Sequence, residues 1–174
     1  MTEEKKRGRG RPKGSPNKPL MELPTERVTL TNNANVFEIL SQANLVEDDD
    51  KFMNGLRHYA ERNGAVVPIL QWMFDDNIQS RLPEGKTPYK ANEAPAPDLT
   101  ESSLRCEFRK FKYFVTDELQ QDLKREQMWI EMLESIPAQE AEMIDLVKDK
   151  KNPFKRITKE LFYETFPQLK REVA

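Results

Sequence analysis

The sequence predicts an all-α fold: a compact bundle of six to seven short helices with a long proline-rich loop and a disordered basic N-terminal tail. Three observations lead there. Apolar residues recur at helical spacing through most of the chain beyond residue 30. No strand-period run or Asn-Gly hairpin signal competes with them. Eight of the twelve prolines gather in two stretches, Pro12 to Pro24 and Pro83 to Pro97, leaving helix-competent segments between and beyond.

Residues 1–30 hold Pro12, Pro16, Pro19 and Pro24 with few apolar side chains and read as tail and linker, and residues 31–174 read as a single helical domain. Val36, Phe37, Leu40 and Ala43 mark a first short helix. Phe52, Leu56, Tyr59 and Ala60 mark a second, closed by Gly64 and opened by Asp48-Asp49-Asp50, an acidic run suited to capping and to the helix dipole. A third begins near Pro68 and carries Ile69, Leu70, Trp72, Met73 and Phe74. From Ser80 to Leu99, Pro83, Gly85, Pro88, Pro95 and Pro97 forbid regular structure, while Leu82 and Tyr89 suggest that part of this loop packs down. Leu104, Phe108, Phe111 and Val115 fall at i, i+4, i+7 and i+11 and predict one helix. Leu119, Leu123, Ile130 and Leu133, with Trp129, Met132 and Ile136 beside them, predict the longest. Pro137 suits the first position of the next, which runs through Ala141, Ile144 and Val147. Thr158 caps the last, Ile157 and Phe162 are spaced as a hydrophobic staple, and Pro167 ends it.

The formal charge of −2 hides an asymmetry. Residues 1–19 carry seven cations and two carboxylates, a net +5, which leaves −7 on the remainder. A basic tail on an acidic body is the split expected when the tail meets a phosphate backbone. The single cysteine, Cys106, excludes an intramolecular disulfide and fits a reducing compartment. The longest apolar run, Ala65 to Phe74, is too short to span a bilayer, and the basic N-terminus lacks the apolar region of a signal peptide. The expectation is a soluble intracellular protein with no membrane partner.

The chemistry that reads most directly is Lys5-Lys6-Arg7-Gly8-Arg9-Gly10-Arg11-Pro12-Lys13, which resembles an AT-hook. A·T-rich tracts narrow the minor groove and concentrate negative potential that attracts guanidinium groups. Arg9 and Arg11 suit the groove floor, near adenine N3 and thymine O2, where the pattern separates A·T from G·C and little else. Gly10 lets the backbone approach the floor, and Pro12 biases Arg11 towards an extended conformation. Lys5, Lys6, Arg7 and Lys13 would contact phosphates, adding affinity without sequence information. The competing reading is a solubilising or localisation tail.

Catalytic and metal chemistry is sparse. His58 is the only histidine and lies off its helix's apolar stripe, and Cys106 has no base beside it in sequence. Gly85-Lys86-Thr87 resembles the end of a phosphate-binding loop, but that motif needs glycine where Ser80 stands, and Pro83 and Pro88 suit it poorly. No cofactor, metal or catalytic residue is expected. A second basic run, Lys148, Lys150, Lys151, Lys155, Arg156 and Lys159, interrupted by Asp149, suggests either another phosphate-contacting surface or a basic interhelix turn.

Beyond the tail, the body resembles a family of uncharacterised proteins of T4-like tailed bacteriophages, including phages of marine cyanobacteria. The matching stretches include Val36 to Leu40, Phe74 to Ile78, Leu82 to Lys90, Lys110 to Val115, Leu133 to Ile136, Lys148 to Lys151 and Leu161 to Leu169. The resemblance implies a phage protein in the cytoplasm of an infected bacterium and brings no activity with it. It also makes Leu82, Pro83, Glu84, Gly85, Pro88 and Tyr89 a candidate interaction loop, the alternative being an ordered crossover that covers the core. The expected partners are double-stranded A·T-rich DNA and an unidentified protein. The competing expectation is a protein–protein adaptor or assembly factor whose tail is accessory.

Overall fold

The computed structural model describes residues 21–170, so the hook-like segment 5–13 lies outside the described residues. Seven helical segments follow one another, and no strand occurs among the described residues. They are α1 (Val36–Ala43), α2 (Asp49–Arg62), α3 (Val66–Phe74), a broken segment made of α4 (Leu104–Glu107), a 3₁₀ turn (Phe108–Phe111) and α5 (Lys112–Val115), then α6 (Asp122–Ser135), α7 (Ala138–Lys148) and α8 (Lys159–Thr165).

Local chemistry explains most of the boundaries. Asn35 caps α1 in a reciprocal box with Glu38, each side chain taking the other's backbone N–H at 2.9 Å. Asp48 accepts from the Lys51 amide at the start of α2, the capping role expected of the acidic run. Thr158 does the same for Leu161 in α8, and Ile157 and Phe162 are both buried there as the staple requires. Helix α2 ends on Asn63 rather than by a left-handed turn at Gly64. The Asn63 amide donates to Ala34 O, and its Oδ1 accepts from the Ala65 N–H. Gly64 instead lets the Phe108 ring come close, since a Cβ there would sit 3.2 Å from it.

Helix α7 is the centre of the bundle. It packs on α1, α3 and α6, and Ala141, Met143, Ile144 and Val147 are wholly buried. An aromatic cluster fills the space between α3, the broken segment and α6. Trp72 and Trp129 have ring centroids 5.9 Å apart, Phe114 lies 5.0 Å from Trp129, and Phe111 lies 5.3 Å from Trp72.

Three expectations need correcting. The stripe from Leu104 to Val115 is not one helix: its middle tightens to 3₁₀, whose three-residue period turns Phe111 and Phe114 together into the aromatic cluster. Helix α6 starts at Asp122, not Leu119, and Leu123 is 82% exposed. Arg125 takes the inside place, donating to Tyr113 O at 2.9 Å, Leu119 O and Asp122 Oδ1, which satisfies carbonyls where α5 and the following turn end. Finally, residues 21–31 are not free linker. They lie along α1 as an extended strap, with Met21, Leu23 and Leu30 against the core. Gln42 accepts from Val28 N–H at 2.9 Å and donates to Glu26 O at 3.3 Å.

Candidate functional site

The loop between α3 and α4 is fastened along its length to α6 and α7. Leu82 is buried, and Arg81 N–H donates to Phe114 O at 2.7 Å. Lys148, with its side chain 1% exposed, reaches out of α7 and donates to Pro83 O at 3.0 Å and Gly85 O at 2.6 Å. Asp149 binds the same ammonium at 2.9 Å and accepts the Gly85 N–H at 3.0 Å. Gly85 has φ +92°, a conformation that only glycine adopts without strain, and this places its amide and carbonyl on opposite charges of one pair. Thr87 donates to Asp145 from both N–H (3.0 Å) and hydroxyl (2.5 Å), and Trp129 Nε1–H donates to Thr87 Oγ1 at 3.1 Å. Lys90 N–H and the Asn92 amide close the run on Glu134. Leu82 to Lys90 is thus held at Pro83, Gly85, Thr87 and Lys90; Pro83, Glu84, Gly85 and Pro88 are exposed, and Tyr89 is half-buried.

Beside this loop lies a cavity of about 380 Å³. Met21, Leu23, Tyr89 and Leu146 give it apolar walls, and Lys86 and Glu142 line it as well. Burial raises the Glu142 carboxyl above its usual range against the pull of Lys86, and burial likewise raises the Tyr89 phenol.

The second basic run does not form a row of free cations. Lys148 is committed to the loop. Lys150 stands at φ 60° in a Schellman turn that closes α7, with Lys150 N–H on Val147 O and Lys151 N–H on Leu146 O. Its Nζ donates to Trp72 O and Asp75 O, the last carbonyls of α3, which accounts for a lysine where glycine is usual. Arg156 donates to Val46 O, Glu47 O and Asp49 and lies over the Phe52 ring. Lys159 pairs with Asp76 at 3.0 Å. Only Lys151 and Lys155 of the six stand exposed without a partner. The other four tie α7 to the loop, the turn after α7 to the end of α3, the segment before α8 to the α1–α2 connection, and α8 to Asp76, because helix C-termini and loops offered each an acceptor.

The interior also holds a carboxyl that sequence reasoning passed over. Glu140, in the first turn of α7, is fully buried; its Oε1 accepts from the first amide of α4, Leu104 N–H, at 3.5 Å, and the carboxyl also takes the first amide of α1, Val36. Burial pushes its pKa up to about 8, so the proton is held at neutral pH. The signal was faint: a glutamate among apolar neighbours on a helix that is buried on nearly every side.

Among the described residues no group of three or more His, Cys, Asp or Glu is placed to hold a metal, and no helix is long and apolar enough to cross a membrane. His58 and Cys106 are both exposed, His58 Nδ1 lying 3.2 Å from Arg62.

A family model, described as a family of unknown function (DUF6433), matches residues 39–152. The chain belongs to this family. The match takes in the proline-rich loop and every side chain that fastens it, from Trp129 to Asp149, while the hook-like segment and α8 fall outside. No curated protein and no solved structure matches the chain. The DUF6433 stretch thus encloses most of the helical core and its fastened loop, and α8 completes that core with Leu161 and Phe162.

Proposed function

We propose that this is a non-enzymatic, DNA-associated protein encoded by a tailed bacteriophage and working in the cytoplasm of the infected host. Its tail binds the minor groove of A·T-rich DNA through Arg9 and Arg11, and the helical body is the module so tethered. The observation that carries the reading is the Arg9-Gly10-Arg11-Pro12 core with Lys5, Lys6, Arg7 and Lys13 around it, on a tail of net +5 joined to a body of net −7. Tethering raises the local concentration of the body near DNA even where one short motif binds weakly.

The test is fluorescence anisotropy with A·T-rich and G·C-rich duplexes at two salt concentrations, comparing wild type with Arg9→Ala/Arg11→Ala. The expected result is tighter A·T binding that the double variant loses. Equal weak binding of both duplexes by both proteins defeats the groove-reading proposal.

A second reading, an adaptor whose tail is accessory, draws support from the apolar-walled cavity beside the fastened loop. It expects a chain lacking residues 1–19 to keep its function, whereas the first reading expects that chain to lose it.

A further inference from the structure

We infer that the helical body itself makes a second contact with DNA, through a basic face on the broken segment 104–115 that rests against the phosphate backbone. The inference builds on the DNA-binding reading and adds a surface to it that the tail does not contain.

Arg105, Arg109 and Lys112 stand at i, i+4 and i+7 along this segment, and all are exposed. The inner side of the same segment is filled by Leu104, Phe111 and Phe114, so the basic side chains have nowhere to point but out. Arg109 has no partner in the described structure, and the bond of Arg105 to exposed Asn33 is long, at 3.4 Å. Lys112 meets Glu118 at 3.3 Å with both side chains half-exposed, a surface pair worth about 0–1 kcal/mol that a phosphate can displace. The one acid within the stretch, Glu107, is turned away onto Lys110 and Ser102 at 2.6 Å each.

A neighbouring element extends the face. Gly64 lies against the Phe108 ring, Asn63 bonds to Ala34 and Arg105 bonds to Asn33, so the end of α2 borders the segment. Exposed Arg62 stands at that end, its guanidinium donating to His58 O at 3.0 Å, a surface bond that a phosphate can replace. Guanidinium groups grip phosphate oxygens bidentately, and such contacts position a protein without reading sequence. On a body of net −7, a local basic face also fixes which side can approach DNA, since the acidic remainder is repelled.

The chain carries its own reporter. Cys106 is the only cysteine, it is exposed, and it stands between Arg105 and Arg109. The experiment measures alkylation of Cys106 by N-ethylmaleimide in the full chain, with and without saturating A·T-rich duplex, and the slope of log K against log salt. Wild type, Arg105→Ala/Arg109→Ala and Arg9→Ala/Arg11→Ala are compared, each by its own bound-to-free ratio.

The expected result is that duplex slows alkylation of wild type several-fold. Arg105→Ala/Arg109→Ala should lose that protection and about 2 units of salt slope, one per released counterion, while keeping its preference for A·T. Cys106 reacting at the free rate in DNA-bound wild type, with an unchanged slope in the Arg105/Arg109 variant, overturns the inference and leaves the tail reading intact. Protection that persists in Arg9→Ala/Arg11→Ala, with wild type itself binding A·T-rich and G·C-rich duplexes equally, sinks the tail reading and supports the body surface. Absence of duplex binding by wild type at any salt overturns both.

Discussion

Two basic stretches of this chain look alike in sequence and differ in structure. Lys148 to Lys159 carries six cations and one acid; Arg105 to Lys112 carries four cations and one acid. The first is drawn inward: Lys148, Lys150 and Arg156 hold backbone carbonyls of the proline-rich loop, of α3 and of the α1–α2 connection. The second faces out, with Arg109 unpartnered and Arg105 holding one long bond. What separates them is the supply of acceptors. The first run follows a helix C-terminus and crosses two others, where carbonyls are left over; the second lies on a segment whose end carbonyls are taken by Arg125 and the Arg81 amide and whose inner face is largely aromatic.

The sharpest way to break this comparison is Lys148→Met. It removes a buried ammonium and leaves Asp149 and Asp145 facing the loop without it, at a cost of about 3 kcal/mol or more. The urea midpoint should fall accordingly, and the Gly85 and Thr87 amides should exchange faster than the rest of the core. A variant as stable as wild type would show that the loop holds without its cation.

Glu140 tests the same idea with the sign reversed, an acid among donors. Its folded pKa of about 8 lies above the ordinary 4.5, so its contribution is full below about pH 4.5 and is lost as pH rises to about 8. Glu140→Gln should flatten that part of the stability–pH profile, measured by urea unfolding across the range. The same slope in wild type and variant would assign the dependence to another group.

Lys150 offers a finer comparison. Lys150→Ala loses the cap on α3 while keeping the left-handed strain, whereas Lys150→Gly loses the cap and relieves the strain. The glycine variant should be more stable than the alanine one by about 1 kcal/mol, read from denaturant midpoints; equal midpoints would remove strain from the account. The smallest effect belongs to the outward stretch. Arg105→Ala/Arg109→Ala should change stability by less than about 0.5 kcal/mol, and a larger loss would mean those arginines are structural after all.

Periodicity made the helices legible because an apolar stripe is a local pattern, and caps such as Asp48 and Thr158 are local too. The break at Phe108 was not legible, since i+4 and i+3 spacings fit both an α-helix and a tightened turn. Leu123 lost its expected inside place to Arg125 because free carbonyls at Tyr113 and Leu119 drew the guanidinium in, a fact that exists only once the chain has folded. For the same reason Lys148 read as surface charge. The hook-like segment is the converse case: its chemistry lies in the order of its residues and needs no fold to be read.

The strap over α1 has a consequence for how far the protein can search. With the chain laid down from Met21 onward, the body begins eight residue steps after Lys13. Fully extended they span at most about 28 Å, roughly eight base pairs of duplex. Were the strap to lift as far as Asn35, the leash would grow to 22 such steps, about 75 Å. On the tethering proposed above, the two hydrogen bonds of Gln42 help set how far the body stands from a groove-bound tail.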